Sequence, residues 1–150
     1  MAYRYSFKAG ERMACAVGVS LPISKKQSVE ICDFVRGRSV EESKRLLSEV
    51  GQLKRAVPFR RFNMNVGHKP GMAAGRFPSR AAAHIMALIE SAESNAQAKG
   101  LNAGSLVIRH ISAQKAPDAW HYGRLRRRKM RRAHVEVVVE ESKDKGGVKK

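Results

Sequence analysis

His121-Tyr122-Gly123-Arg124-Leu125-Arg126-Arg127-Arg128-Lys129-Met130-Arg131-Arg132-Ala133-His134 is the stretch whose reading decides the fold. It contains no carboxylate to offset its arginines and lysine. Crowded into one loop in water, these cations repel one another, and a closely spaced polyanion such as a nucleic-acid backbone removes that cost. Its flanks define it. Before it comes Ser105-Leu106-Val107-Ile108-Arg109-His110-Ile111-Ser112, and after it His134-Val135-Glu136-Val137-Val138-Val139. Both are rich in β-branched residues and read as strands. Two strands joined by a long cationic connector predict a hairpin arm over about 105–140 with a charged tip. A bare charge run is usually only a solvated surface, but the flanking strands and the missing acids favour a binding role here.

The composition points the same way. Thirty Lys and Arg stand against thirteen Asp and Glu, a net charge of +17, in a chain of 150 residues. That length suits a single domain, taken as 1–141 with a flexible tail over 142–150. At 43% hydrophobic residues the chain can bury a core. The charge directs attention to nucleic acid first and to an anionic membrane second. The membrane reading is weaker, because the basic run carries few apolar anchors and is not a helical amphipath. No stretch is long and apolar enough to span a bilayer, and the first residues lack the apolar core of a signal peptide, so a cytoplasmic protein is expected. Cys15 and Cys32 read as buried small apolar residues. The five histidines show no metal-ligand spacing, and neither a metal nor a cofactor is expected.

Along the chain, Cys15 to Leu21 alternates loosely and predicts a strand ended by Pro22. Ser24 and Gln27 are spaced for a capping box. The helix behind them carries Val29, Ile31, Cys32 and Val35 and should stop at Gly37. Lys25 and Lys26 at its start join the basic candidates. Ser39 and Glu42 repeat the capping spacing before a second helix with Leu46, Leu47 and Val50. Residues 52–77 then lose periodicity. Lys54, Arg55, Arg60, Arg61, Lys69 and Arg76 fall there with no acid, interleaved with Phe59 and Phe62. This reads as a long basic loop contacting RNA, with Arg on phosphate and Phe available to a base. Ile85, Leu88, Ile89, Ala92 and Ala96 form one helical stripe, beginning after Pro78 and ending at Gly100. The order is a short strand, three helices, then two strands. It predicts a two-layer α+β fold, the helices packed on a small antiparallel sheet, with a long protruding β-hairpin.

Several of these stretches also resemble one family. They are Val57-Pro58-Phe59-Arg60-Arg61 with Val66, Gly67 and His68; Glu90-Ser91-Ala92-Glu93-Ser94-Asn95-Ala96; Lys99-Gly100-Leu101; Ser105 to Ile108; His110-Ile111; and Lys115-Ala116-Pro117. Gly123-Arg124, followed after nine residues by His134 to Val139, completes the set. In order and spacing they resemble the universal large-subunit ribosomal protein twenty-two family in its archaeal and eukaryotic form. The resemblance implies an α+β body seated on large-subunit ribosomal RNA beside neighbouring ribosomal proteins. It implies a hairpin lining the polypeptide exit tunnel, with the nascent peptide near its tip. It also implies no enzymatic activity. By position it makes Lys115 and Arg124 RNA contacts of the arm and tip, and Arg60, Arg61 and His68 part of a branch-specific RNA-facing segment. One departure stands out. Relatives place an Arg-rich run between Ala-Pro and the Gly-Arg of the tip, whereas here only Asp118-Ala119-Trp120-His121-Tyr122 intervenes and the first arm is shorter.

The expected RNA contacts are therefore Lys25, Lys26, Arg60, Arg61, His68, Lys69, Lys115, Arg124, Arg126, Arg127, Arg128, Lys129, Arg131 and Arg132. Trp120 and Tyr122 are candidates to stack on bases, at about 1–3 kcal/mol each. The competing function is a β-ribbon DNA-binding or architectural protein. No catalytic residues are assigned: no nucleophile–base pair, paired carboxylates or phosphate loop stands out.

Overall fold

The computed structural model describes residues 3–142. In order they form β1 (Met13–Leu21), α1 (Lys25–Val35), α2 (Val40–Gly51), β2 (Val57–Pro58), β3 (His68–Lys69), β4 (Met72–Arg76), α3 (Ser79–Ala98), β5 (Leu106–Lys115) and β6 (Ala133–Glu141). The expected α+β arrangement is present. Three helices lie against an antiparallel sheet in the order β1-β6-β5.

The helix faces follow from sequence spacing. Ile85, Leu88, Ile89, Ala92 and Ala96 are all buried, and α3 packs against β1 and β6. Gly100 at φ +77 lets the chain leave α3 in a left-handed turn. Leu101 N–H then donates to Ala96 O and Gly100 N–H to Gln97 O, satisfying carbonyls the helix itself leaves open. The Ser39 hydroxyl accepts from Glu42 N–H at 3.2 Å and caps α2 as expected, while the Glu42 carboxylate turns to Arg38 rather than closing the box. The capping box at Ser24 does not form. Ser24 has N-cap backbone geometry, but its side chain makes no cap hydrogen bond. Only its carbonyl works locally, accepting from the backbone N–H and hydroxyl of Ser28.

The central strand β6 pairs with both neighbours, Val137 lying opposite Ala16 and Ile111, and Glu136 opposite Val17 and Ser112. Directly opposed residues share a face. Ala14, Ala16, Ile108, Ile111, Val135, Val137 and Val139 therefore face the helices and form the core. The other face carries Cys15, Val138, Glu136, His110 and Ser112. The N-terminal segment is laid over it: Ser6 donates both its N–H and its hydroxyl to Glu136, and Phe7 stacks on His110 at 5.2 Å. This lead-in is thus part of the packed structure. Of the expected tail, 143–150 lies outside the described residues. Ser142 itself donates its N–H to Ser105 O.

Residues 52–77 are not a structureless loop. They contain a second small sheet in the order β2-β4-β3, with Val57 opposite Arg76 and His68 opposite Ala74. Phe59, expected to be available to a base, is buried at 3% exposure and belongs to the core. Its burial corrects the idea that Phe59 and Phe62 both face a ligand.

Candidate nucleic-acid interface

The basic segment is held in place by one acid from α1. Glu30 is 2% exposed. Its carboxylate accepts three backbone N–H groups: Arg60 at 2.9 Å, Arg61 at 3.0 Å and Phe62 at 2.6 Å. A carboxylate inside the protein is tolerable only with such partners. Here they also fix where the flanking arginine side chains emerge. Arg61 and Lys26 both lie over the Phe62 ring, at 5.5 and 5.9 Å, so the segment joins the start of α1. Arg60 turns away into a small depression with Asp33, Phe34 and Arg38.

Three clefts meet at Gln27. One, of about 580 Å³, is lined by Lys25, Lys26, Asn63, Arg76, Lys115, Asp118, Arg131 and Arg132 beside Ser24 and Gln27. A second, of about 410 Å³, shares Ser24, Gln27, Arg131 and Arg132 and adds Arg80, His121, Lys129 and Met130. The third, of about 430 Å³, shares Gln27 and Arg76 and adds Lys69 and Phe77. The first-turn N–H groups of α1, which no helix carbonyl accepts, border the first cleft and favour negative charge there. Of the three linings' side chains, Asp118 alone is acidic, and it sits 3.3 Å from Lys115. The other carboxylate pairs lie elsewhere: Arg36–Asp33, Arg38–Glu42, Lys44–Glu93, Arg55–Glu49 and Arg109–Glu140.

The structure therefore brings Lys25, Lys26, Lys69, Lys115, Lys129, Arg131 and Arg132 together from three separate segments. Arg132 also donates to Ser20 O at 3.2 Å, where β1 bulges at a residue with φ +55. His68 is exposed on β3 but lines none of the three clefts. Beyond the sheet the hairpin continues irregularly. Ala116 N–H donates to Arg132 O, Met130 N–H to Ala119 O and His121 N–H to Arg128 O, with a bridge between Trp120 and Lys129. The turn spans 122–127, through a short 3-10 segment Gly123–Leu125 and Arg127 at φ +73, so Arg124 and Arg126 to Arg128 mark the outermost bend. Trp120 is 60% exposed and carries Lys129 over its ring at 4.9 Å; Tyr122 is 88% exposed.

Sequence reasoning did not name Gln27, Arg76 or Arg80 among the individual contacts, although Arg76 lies in the basic loop expected to touch RNA. Arg76 stood in the acid-free run, and that was its only signal. Arg80 sits in the first turn of α3, and only the folded chain places it opposite Lys129. Away from the face, burial pushes the Cys32 thiol up to about 12 and raises that of Cys15, so both stay protonated. Among the described residues no His, Cys, Asp and Glu cluster suits a metal, and no helix is long and apolar enough to cross a membrane.

A family profile described as ribosomal protein L22p/L17e matches residues 16–140. The large ribosomal subunit protein uL22 of Archaeoglobus fulgidus is 38% identical over 92% of this chain and 94% of its own length. Its counterpart in Methanothrix thermoacetophila is 47% identical over 74% of this chain and 75% of its own length. That of Staphylothermus marinus is 38% identical over 93% of this chain and 96% of its own length.

Proposed function

Since the chain belongs to the family of ribosomal protein L22p/L17e, we propose that its cation-lined face seats on ribosomal RNA and that its hairpin tip reaches the wall of the polypeptide exit tunnel. It is a structural constituent of the large ribosomal subunit, associated with that subunit's RNA and proteins, and not an enzyme. The observation that supports the interface is the convergence of Lys25, Lys26, Lys115, Arg131 and Arg132 on one cleft. Such cations displace counterions from phosphates, a gain that needs no base sequence. Lys69 extends the contact along the small sheet, and Arg60, Arg61 and His68, which line none of the three clefts, meet RNA outside them. Arg124 and Arg126 to Lys129 carry it to the tip, where Trp120 and Tyr122 expose aromatic surface to bases or to the nascent peptide.

Two measurements test this. Tagged protein in a lysate should sediment with large subunits; sedimentation with chromatin would favour the DNA-binding alternative. A photo-crosslinker at Leu125, which is 47% exposed in the turn, should join the protein to a stalled nascent chain. Crosslinks confined to proteins on the subunit's outer surface would refute the tunnel placement.

A further inference from the structure

We infer that the face around Gln27 receives a branch point of RNA, where strands diverge, rather than a continuous duplex. The inference rests on the ribosomal-RNA reading above and specifies which RNA shape that face accepts. Three clefts share Gln27, and they run toward three different parts of the chain: the hairpin root, the start of α3 and the small sheet. Each has the size of a small-molecule pocket, room for a nucleotide or two of backbone and far less than a helix. A duplex is a convex cylinder recognised across its shallow groove and flanking phosphates. Laid here, it would bridge the cleft rims and leave the cations along the clefts unmatched. At a branch the opposite holds. Backbones turn away from one another within a short distance, their phosphates crowd, and the crowding is costly without local positive charge.

The charge is placed for that demand. Arg131 and Arg132 form the partition between the two clefts at the hairpin, and Arg76 stands between the first and third. A cation on a partition faces both backbones it separates. Among the described residues neither cleft at the hairpin is lined by Phe, Tyr or Trp, so these two grip phosphate and sugar rather than stacked bases. Gln27, half-buried where the clefts meet, offers an NH2 donor group and a carbonyl acceptor to whatever nucleotide occupies the centre.

The test uses the full chain with a three-way-junction RNA, a duplex of the same length and composition, and a single strand. The junction should bind at least about tenfold tighter than the duplex, with a log–log salt slope steeper by about 0.7–0.9 for each further phosphate held. Arg76→Gln with Arg131→Gln should erase that preference, lowering junction affinity about tenfold more than duplex affinity. Gln27→Ala should lower junction affinity alone. Arg126→Gln, Arg127→Gln and Arg128→Gln together should weaken all three RNAs and keep their ratio. If the partition variant melts early, Lys25→Gln with Lys26→Gln, both exposed on the first turn of α1, puts the same question to the first cleft. Equal affinity of the parent for junction and duplex overturns the inference, as does a preference indifferent to the cleft variants. Entry of the parent into large subunits is scored separately. Protein that enters subunits without a junction preference refutes this inference alone; protein that keeps the preference but never enters them refutes the ribosomal reading.

Discussion

Replacing Glu30 by Gln should release the basic segment without unfolding the domain. The carboxylate accepts from three consecutive N–H groups at 2.6–3.0 Å while only 2% exposed. Hydrogen bonds to a buried charge contribute about 1.5–3 kcal/mol each. Gln keeps the volume but offers one neutral acceptor, and its NH2 group faces donors. Arg60 and Arg61 have exposed side chains, so water can recover part of the loss, which places the net cost near 2–3 kcal/mol. That cost falls locally, because Val57 and Phe59 stay buried in the core and keep the small sheet docked. Amide hydrogen exchange at Arg60, Arg61 and Phe62 should therefore accelerate by about thirtyfold or more, the equivalent of about 2 kcal/mol. Protection at Ile85 and Ile89 should change far less. Asp33→Asn, on the same helix but in an exposed pair with Arg36 at 3.0 Å, is the control and should leave all these amides alone. Unchanged exchange at 60–62 in Glu30→Gln would refute the reasoning that this carboxylate positions the loop.

Other expectations follow from the same structure. Leu88→Ala should cost about 2–5 kcal/mol by denaturant titration, since the side chain is 9% exposed between α3 and its neighbours. Leu53→Gly should raise stability by about 0.5–1 kcal/mol, because Leu53, just past the end of α2, sits at φ +61 while 62% exposed and glycine relieves that strain at a smaller entropic cost. For Glu136, burial pushes the carboxyl up, but hydrogen bonds from Ser6, His110 and Ser112 outweigh it and hold the group below its ordinary value near 4.5. A depressed folded value means the stabilisation is present above the unfolded value and fades as pH falls through the folded one. The stability gap between parent and Glu136→Gln should thus be constant above about pH 5 and shrink below about 4.5. Neutralising Arg126 to Lys129 should leave the melting temperature unchanged or raised, and should flatten the RNA salt slope by at most about 2.8–3.6 units, four contacts at about 0.7–0.9 each.

Legibility from sequence divides along the range of the interactions. The stripe from Ile85 to Ala96 is written in local spacing, and so are the alternations of β5 and β6 and the turn at Gly100. The small sheet is not. Its strands β2 and β3 are two residues long, one of them contains Pro58, and β2 finds its partner only in β4, more than ten residues away. Glu30 looked like any polar residue on a helix, because its partners stand thirty positions downstream. At Ser24 and Gln27 the local pattern was present and misled: the capping spacing is there, yet Gln27 is placed at the meeting point of three clefts instead. The candidate cations were legible one by one from the absence of acids. Which of them share a cleft was not, because that depends on how the hairpin packs against α1 and on where Arg76 of β4 meets the same cleft.

That packing also bears on how a chain of net charge +17 holds its fold. The thirteen carboxylates are too few to neutralise thirty cations, and they are not spread evenly among them. Glu30 and Glu136 are buried and hold backbone segments, one the basic loop and one the N-terminal lead-in. Asp33, Glu42, Glu49, Glu93 and Glu140 pair with cations on α2 and β5 or just beyond the ends of α1 and α2. Repulsion is thus relieved around the helices and left concentrated on the cleft face and the hairpin turn. Stability that the free protein forgoes at that face reappears as affinity when phosphates arrive. A substitution that adds a carboxylate there, such as Gln27→Glu, should accordingly raise the melting temperature of the free protein and weaken its hold on RNA, whereas an added acid on α2 should do neither. Equal effects at both places would show that the charge acts as a uniform cloud and that its placement carries no information.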